Sequence, residues 1–175
     1  MRYPIAFAIA IVALMFFGSA RACSEPDVPT FKQSLDSAET VFVFRLVSTG
    51  LVEKSQNTRD MAGRIEMVRT LKGSPQFGYL RHNAEWCGGL RLFVGHYYLV
   101  ATRQRGPVLM LGRGDRSIVD ISGDYSRVYP AQKPDQQWQT QIEHYLAGRP
   151  LRKNFDPTEI MERVQAFPPV PGEAW

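Results

Sequence analysis

Cysteine, histidine and long apolar runs are all scarce in this chain. Only two cysteines, Cys23 and Cys87, occur in 175 residues, so at most one internal bridge is possible. The three histidines, His82, His96 and His144, are scattered without metal-ligand spacing, and His144 falls at a polar position of an amphipathic stretch. No glycine–x–serine–x–glycine elbow presents a nucleophile, and no glycine-rich loop precedes a helix to cradle phosphate. Asp115, Asp120 and Asp124 lack the dense oxygen-ligand spacing of a calcium loop. His82 and Cys87 are a conceivable base and nucleophile, but a bridged Cys87 offers no thiolate. The constellation of acid, base and nucleophile that catalysis requires is missing, which argues against an enzyme, and nothing calls for a cofactor. After the first 22 residues no second long apolar segment follows, which argues against stable membrane insertion.

What is present begins with an export signal. Met1-Arg2-Tyr3-Pro4 is a short basic start, Ile5–Phe17 is apolar, and Ala20 and Ala22 occupy the alternate small-residue positions of a cleavage site. Residues 1–22 are therefore expected to leave as a signal peptide, placing the mature chain in a periplasm or outside the cell. Cleavage removes Arg2 and Arg21, leaving 153 residues with 19 basic and 17 acidic side chains, a net charge of +2. A chain of that size supports one domain with a core. So small a charge gives no case for nucleic acid as a partner. Two cysteines in an oxidising compartment usually pair. A Cys23–Cys87 bridge would close a 64-residue loop, worth about 4 kcal/mol in the chain-entropy account.

Local patterning suggests many short strands followed by helices. Pro26 and Pro29 hold an extended lead-in, and Phe31 and Leu35 share one face of a helical turn over 31–37. Thr40–Val47 is β-branched and aromatic, the clearest strand. Polar residues from Glu53 to Gly63 read as a hairpin loop before a strand from Arg64 to Leu71, which Lys72-Gly73-Ser74-Pro75 stops. A strand over Phe77–Arg81 precedes a polar loop holding His82, Asn83, Glu85 and Trp86. Leu90, Leu92 and Val94 alternate before Gly95; Tyr97–Ala101, Val108–Leu111 and Ile118–Ile121 complete a barrel or sandwich pattern. Trp138, Ile142, Tyr145 and Leu146 then recur at helical spacing up to Gly148-Arg149-Pro150. Asp156-Pro157-Thr158-Glu159 opens a second helix carrying Ile160, Val164 and Phe167. Residues 168–175 form a proline-rich tail.

Arg103, Arg105, Arg113 and Arg116 cluster in sequence, a pattern that solvated loops explain. Arg113-Gly114-Asp115 matches a three-residue adhesion motif too short to be specific. Cys23 is more informative, because cleavage makes it the first residue. It has three readings: a structural half-cystine, a lipidation site, or a functional free α-amine. Arg21 disfavours lipoprotein processing. An α-amine titrates at about 7.7–8.0, so its neutral fraction near pH 7 can ligate a metal. With its own carbonyl oxygen it can chelate a zinc ion that keeps an open position.

Cys23-Ser24 at the mature start, the strand Val41–Val47, the ending Leu71-Lys72-Gly73, Cys87-Gly88 just before Leu90–Leu92, and Gly95-x-Tyr97-Tyr98-Leu99-Val100 resemble a known family. They look like the N-terminal domain of the tissue inhibitors of metalloproteinases, within the wider netrin-module (NTR-like) group. The resemblance covers about 23–111. It implies a mainly β fold: a five-stranded OB-like Greek-key barrel with C-terminal helices packed beside it. The barrel would occupy about 23–122 and the helical part about 135–167 of a single domain over 23–167. It also implies a Cys23–Cys87 disulfide and a binding protein whose partner is a zinc metalloprotease; the chain itself is expected to be a monomer. Cys23 would chelate the partner's zinc in trans, Ser24 would enter its specificity pocket, and Cys87 would anchor the terminus. Glu25 stands at this binding edge where the family has a second cysteine, and the family's further disulfides are missing. The alternative is a generic extracytoplasmic protein-interaction module in which Cys23 is purely structural.

Overall fold

The computed structural model describes residues 28–52, 60–84, 89–122 and 133–151. The expected signal segment, the expected second C-terminal helix and tail, and Cys23, Ser24, Glu25 and Cys87 all lie outside the described residues.

Helix α1 (Phe31–Ser37) starts because Thr30 closes a capping box with Gln33. The Thr30 hydroxyl accepts from the Gln33 amide at 3.2 Å, and the Gln33 side chain accepts from the Thr30 amide at 2.8 Å. Phe31 and Leu35, one turn apart, are buried. Six strands follow: β1 (Thr40–Val52), β2 (Asp60–Lys72), β3 (Tyr79–Asn83), β4 (Tyr97–Thr102), β5 (Val108–Leu111) and β6 (Ile118–Asp120). They form one curled sheet in the order β5-β3-β2-β1-β4-β6. All neighbours are antiparallel except β3 and β5, which run parallel. Helix α2 (Gln136–Leu146) closes the described chain, with Asp135 accepting from the Gln137 amide at 2.7 Å as its N-cap.

The long β1–β2 ladder slips register three times, and the slips bend it. Leu71 and Val68 are extra residues on β2, and Val47 is an extra residue on β1. Gly63 makes the tightest approach. A Cβ there would lie 2.5 Å from the Ser48 carbonyl oxygen and 3.0 Å from Leu46 Cδ1, so only glycine fits without a shift. Gly73 ends β2 at φ +71°, a left-handed turn that a side chain would strain.

Curling separates two cores. Inside lie Phe42, Phe44, Leu46, Tyr98 and Leu80 with their neighbours, and Phe42 stacks on Phe77 at 5.3 Å. Outside, the alternate residues Val41, Val43, Leu99 and Val119 are covered by Phe31 and Leu35 of α1 and by Trp138 and Ile142 of α2. Each fully buried side chain of this size contributes about 1.5–3 kcal/mol. The helices are tied to the sheet and to each other by Arg69–Glu143 and by the Tyr145 hydroxyl on Asp36. Lys32 also pairs with Asp36 at 2.8 Å, and its ammonium together with the Tyr145 hydroxyl holds the Asp36 carboxyl below its usual range.

The mainly β class and the α2 helix beside the sheet match the expectation, and the strand count does not: six strands pair, β6 being added along β4. Asp60–Gly63, expected in a loop, extend β2 because the ladder continues on both sides, to β1 and to β3. His82 and Asn83 belong to β3. The Leu90–Val94 alternation forms no strand: Leu90 is buried, but the Phe93 amide is taken by the Tyr98 hydroxyl at 2.6 Å.

Candidate functional site

The residues of the expected binding edge, Cys23, Ser24, Glu25 and Cys87, are not among those described, but the chain on both sides of residues 85–88 is. It is clasped. The Leu90 amide donates to the Asn83 carbonyl at 2.7 Å, so the chain leaves β3 and rejoins the curled sheet at one point on its rim. Asn83 faces Asp60 across the β2–β3 ladder, and its side-chain amide approaches the Asp60 carboxylate at 3.5 Å. This rim is therefore built from β1, β2 and β3 ends whose positions the sheet determines.

His82, one residue before the clasp, is 4% exposed, and neither ring nitrogen has a hydrogen-bond partner among the described residues. On the inner face of the sheet it shares a row with Met61 of β2 and Leu111 of β5. Burial pushes its pKa down, while the nearby Asn83 and Leu90 backbone and the Asp60 carboxylate oppose that shift more weakly. A neutral imidazole in an apolar row is the outcome. The sequence suggested a polar loop here; the strand places the ring inside.

His96 is also buried, and it is paired. Its Nδ1 lies 2.9 Å from Asp120 Oδ2, while Asp120 Oδ1 accepts from the Ser122 amide at 2.9 Å. The Ser122 hydroxyl in turn accepts from the Tyr97 amide at 2.9 Å. This chain of contacts fastens the end of β6 to the start of β4. A carboxylate holding an imidazole also orients catalytic histidines, but here the side chains are only 8% and 1% exposed, too enclosed to meet a substrate. Sequence reasoning missed the pair because its members are 24 residues apart and carry no motif.

At the opposite end of the curled sheet a half-open cleft of about 300 Å³ lies between the β2–β3 and β4–β5 turns. Phe77 and Thr40 line it, and Glu39 pairs with Arg105 across its mouth at 2.7 Å. Next to it, Gln104 performs an unusual task. Its side-chain amide donates to the Met110 carbonyl at 2.6 Å and accepts from the Met110 amide at 2.8 Å, as a neighbouring strand would. Arg105 is thus an exposed ion-pair partner, in agreement with a solvated loop. Among the described residues no group of three or more His, Cys, Asp or Glu side chains is placed to hold a metal. No described helix is long and apolar enough to cross a membrane. No protein-family model matches the chain, and no curated protein matches it.

Proposed function

We propose that this chain is an exported binding protein on an OB-type Greek-key barrel of the netrin-module kind, and that it engages its partner through the Cys23 terminus. The partner its chemistry fits is a zinc metalloprotease. In this reading the Cys23 amine and carbonyl chelate the partner's zinc, Ser24 enters the adjoining pocket, and a bridge to Cys87 holds the terminus still. Pre-fixing the terminus lowers the ordering cost of binding.

The observation that carries the reading is the clasp between Asn83 and Leu90 on the barrel rim. A bridge rooted in the connection between those residues would be anchored to the sheet and not to a free loop. The strand arrangement adds support: β1 lies between β2 and β4, and β3 lies beside a parallel β5, the neighbour relations of an OB barrel.

The test has two stages. Intact mass of the naturally exported protein should begin at an unmodified Cys23 and rise by two hydrogens on reduction. The same protein should then inhibit members of a zinc-metalloprotease panel, and a version with one alanine added before Cys23 should lose inhibition while keeping its melting temperature. Equal inhibition by the extended protein would rule out chelation. A blocked or differently cut terminus would remove the mechanism altogether.

A further inference from the structure

Four stretches of sheet edge are open among the described residues, and they are treated differently. Strand β2 beyond Ile65 pairs with β1 alone, but it carries Glu66, Arg69 and Lys72. Along β5, the free side of Met110 is occupied by the Gln104 side chain. The β6 edge is only three residues long. The fourth stretch is on β1. Strand β4 covers β1 from Thr40 to Arg45, and the Gly95 amide and His96 carbonyl close the next position by bonding Leu46. From Ser48 to Val52 β1 pairs with β2 on one side only, and its other side has no strand beside it among the described residues.

That open side begins just after the bulge at Val47, and beyond it none of the devices that keep edges apart is present among the described residues. Leu46 to Val52 contains no charge and no proline, and Leu51 is 68% exposed. Natural sheets blunt such edges with lysine, proline, plugs or brevity. A chain that plugs β5 and gives this part of β1 no strand partner among the described residues has an edge suited to pairing.

We infer that the protein self-associates by pairing Ser48–Val52 of β1 antiparallel with the same segment of a second copy, about a two-fold axis at Gly50. The segment is self-complementary in this register. Gly50 faces the partner's Gly50, and nothing lies within 4 Å of the position a Cβ would take there. Ser48 faces the partner's Val52, and Leu51 faces the partner's Thr49. Behind these residues the β1–β2 register sets Arg64 beside Ser48 and Asp60 beside Val52. Each row across the axis therefore runs from Arg64 through Ser48 and the partner's Val52 to the partner's Asp60, with opposite charges at its ends. A parallel pairing would align Arg64 with the partner's Arg64 instead. The antiparallel register also covers Leu51, which meets the partner's Thr49 and, behind it, the side-chain-free partner's Gly63.

Five residues at about 3.4 Å each make a ladder of about 17 Å, well below a standard interface. The dimer is accordingly weak, with a dissociation constant on the order of 100 µM. The sequence by itself suggests a monomer because an edge exists only once the strands are paired.

Sedimentation velocity from about 10 µM to about 1 mM should show a monomer–dimer equilibrium. Leu51→Lys should weaken it at least tenfold without altering the far-ultraviolet circular dichroism, since the side chain is already in solvent. Gly50→Cys should form a disulfide-linked dimer under mild oxidation, at a concentration where wild type stays free of intermolecular disulfides. A single monomeric species throughout the range would overturn the inference. So would a dimer indifferent to Leu51→Lys, or a Gly50→Cys protein that fails to cross-link.

Discussion

Two glycines of the β1–β2 hairpin should respond to alanine in opposite directions. At Gly63 the added methyl would sit 2.5 Å from a backbone oxygen, that of Ser48, and 3.0 Å from Leu46 Cδ1. Both neighbours are fixed: Leu46 is fully buried, and Ser48 follows the bulge at Val47. The ladder must spread, and inserting a methyl into a packed site costs about 1–3 kcal/mol, with the upper half expected here because backbone must move. At Gly50 nothing lies within 4 Å, and the backbone does not need a left-handed conformation. Alanine there removes unfolded-state freedom and should stabilise by about 0.4–1 kcal/mol. In a domain of this size 1 kcal/mol moves the melting temperature by about 2–4 °C. Gly63→Ala should therefore melt about 5–10 °C below wild type and Gly50→Ala slightly above it, by calorimetry at low protein concentration. If the two variants shift together, or Gly63→Ala is neutral, crowding by the Ser48 carbonyl does not govern the hairpin.

Acid should destabilise the fold through His82. Its folded pKa lies below the ordinary value because burial disfavours the cation. The contribution of neutral His82 is thus complete above the unfolded pKa of about 6.5 and is lost as pH falls below it, by at most about 1.4 kcal/mol per pH unit. Urea midpoints at pH 7.5 and 5.5 should converge in His82→Phe; an unchanged acid loss would assign the effect to another group. Asp120→Ala should cost about 3 kcal/mol, because it removes the acceptor shared by His96 and the Ser122 amide in a buried place. Asp120→Asn, which keeps one acceptor, should lose clearly less in the same urea titration, and equal losses would refute that account. Gln104→Ala should speed hydrogen exchange at the Met110 amide about tenfold, a loss near 1.4 kcal/mol of local protection, and unchanged exchange would contradict the plug.

Where side-chain chemistry and backbone pairing agree, the fold is legible in the residues. Thr40–Val47 reads as a strand because β-branched and aromatic side chains are buried on both faces there, against the inner and the outer core. Trp138 and Ile142 read as a helix because their spacing matches the face they bury. Strand β2 is harder. Ile65, Met67, Val68 and Leu71 break alternation since Val68 and Leu71 are bulged residues, and each bulge resets the period. Asp60–Gly63 is strand by virtue of neighbours on both sides, which no local pattern announces. Leu90–Val94 shows the converse, alternation without a ladder to join. At the rim, Asn83 and Leu90 meet through one backbone hydrogen bond between residues close in sequence, while His96 and Asp120 meet only because β6 adds to β4. Long-range pairing of that sort leaves no trace in spacing.

Glutamine is one of only two side chains that offer a hydrogen-bond donor and an acceptor in the same plane as a peptide group does. Glutamate in its ionised form would lose the donor, lysine would lose the acceptor, and asparagine would arrive one methylene short. The seam between the β4–β5 turn and Met110 is consequently chemically exacting at Gln104 although the position is not buried. A strand-to-strand closure tolerates almost any side chain, because the main chain does the bonding. Here a single codon carries that duty, so tolerance to mutation at this surface position should resemble that of an interior one.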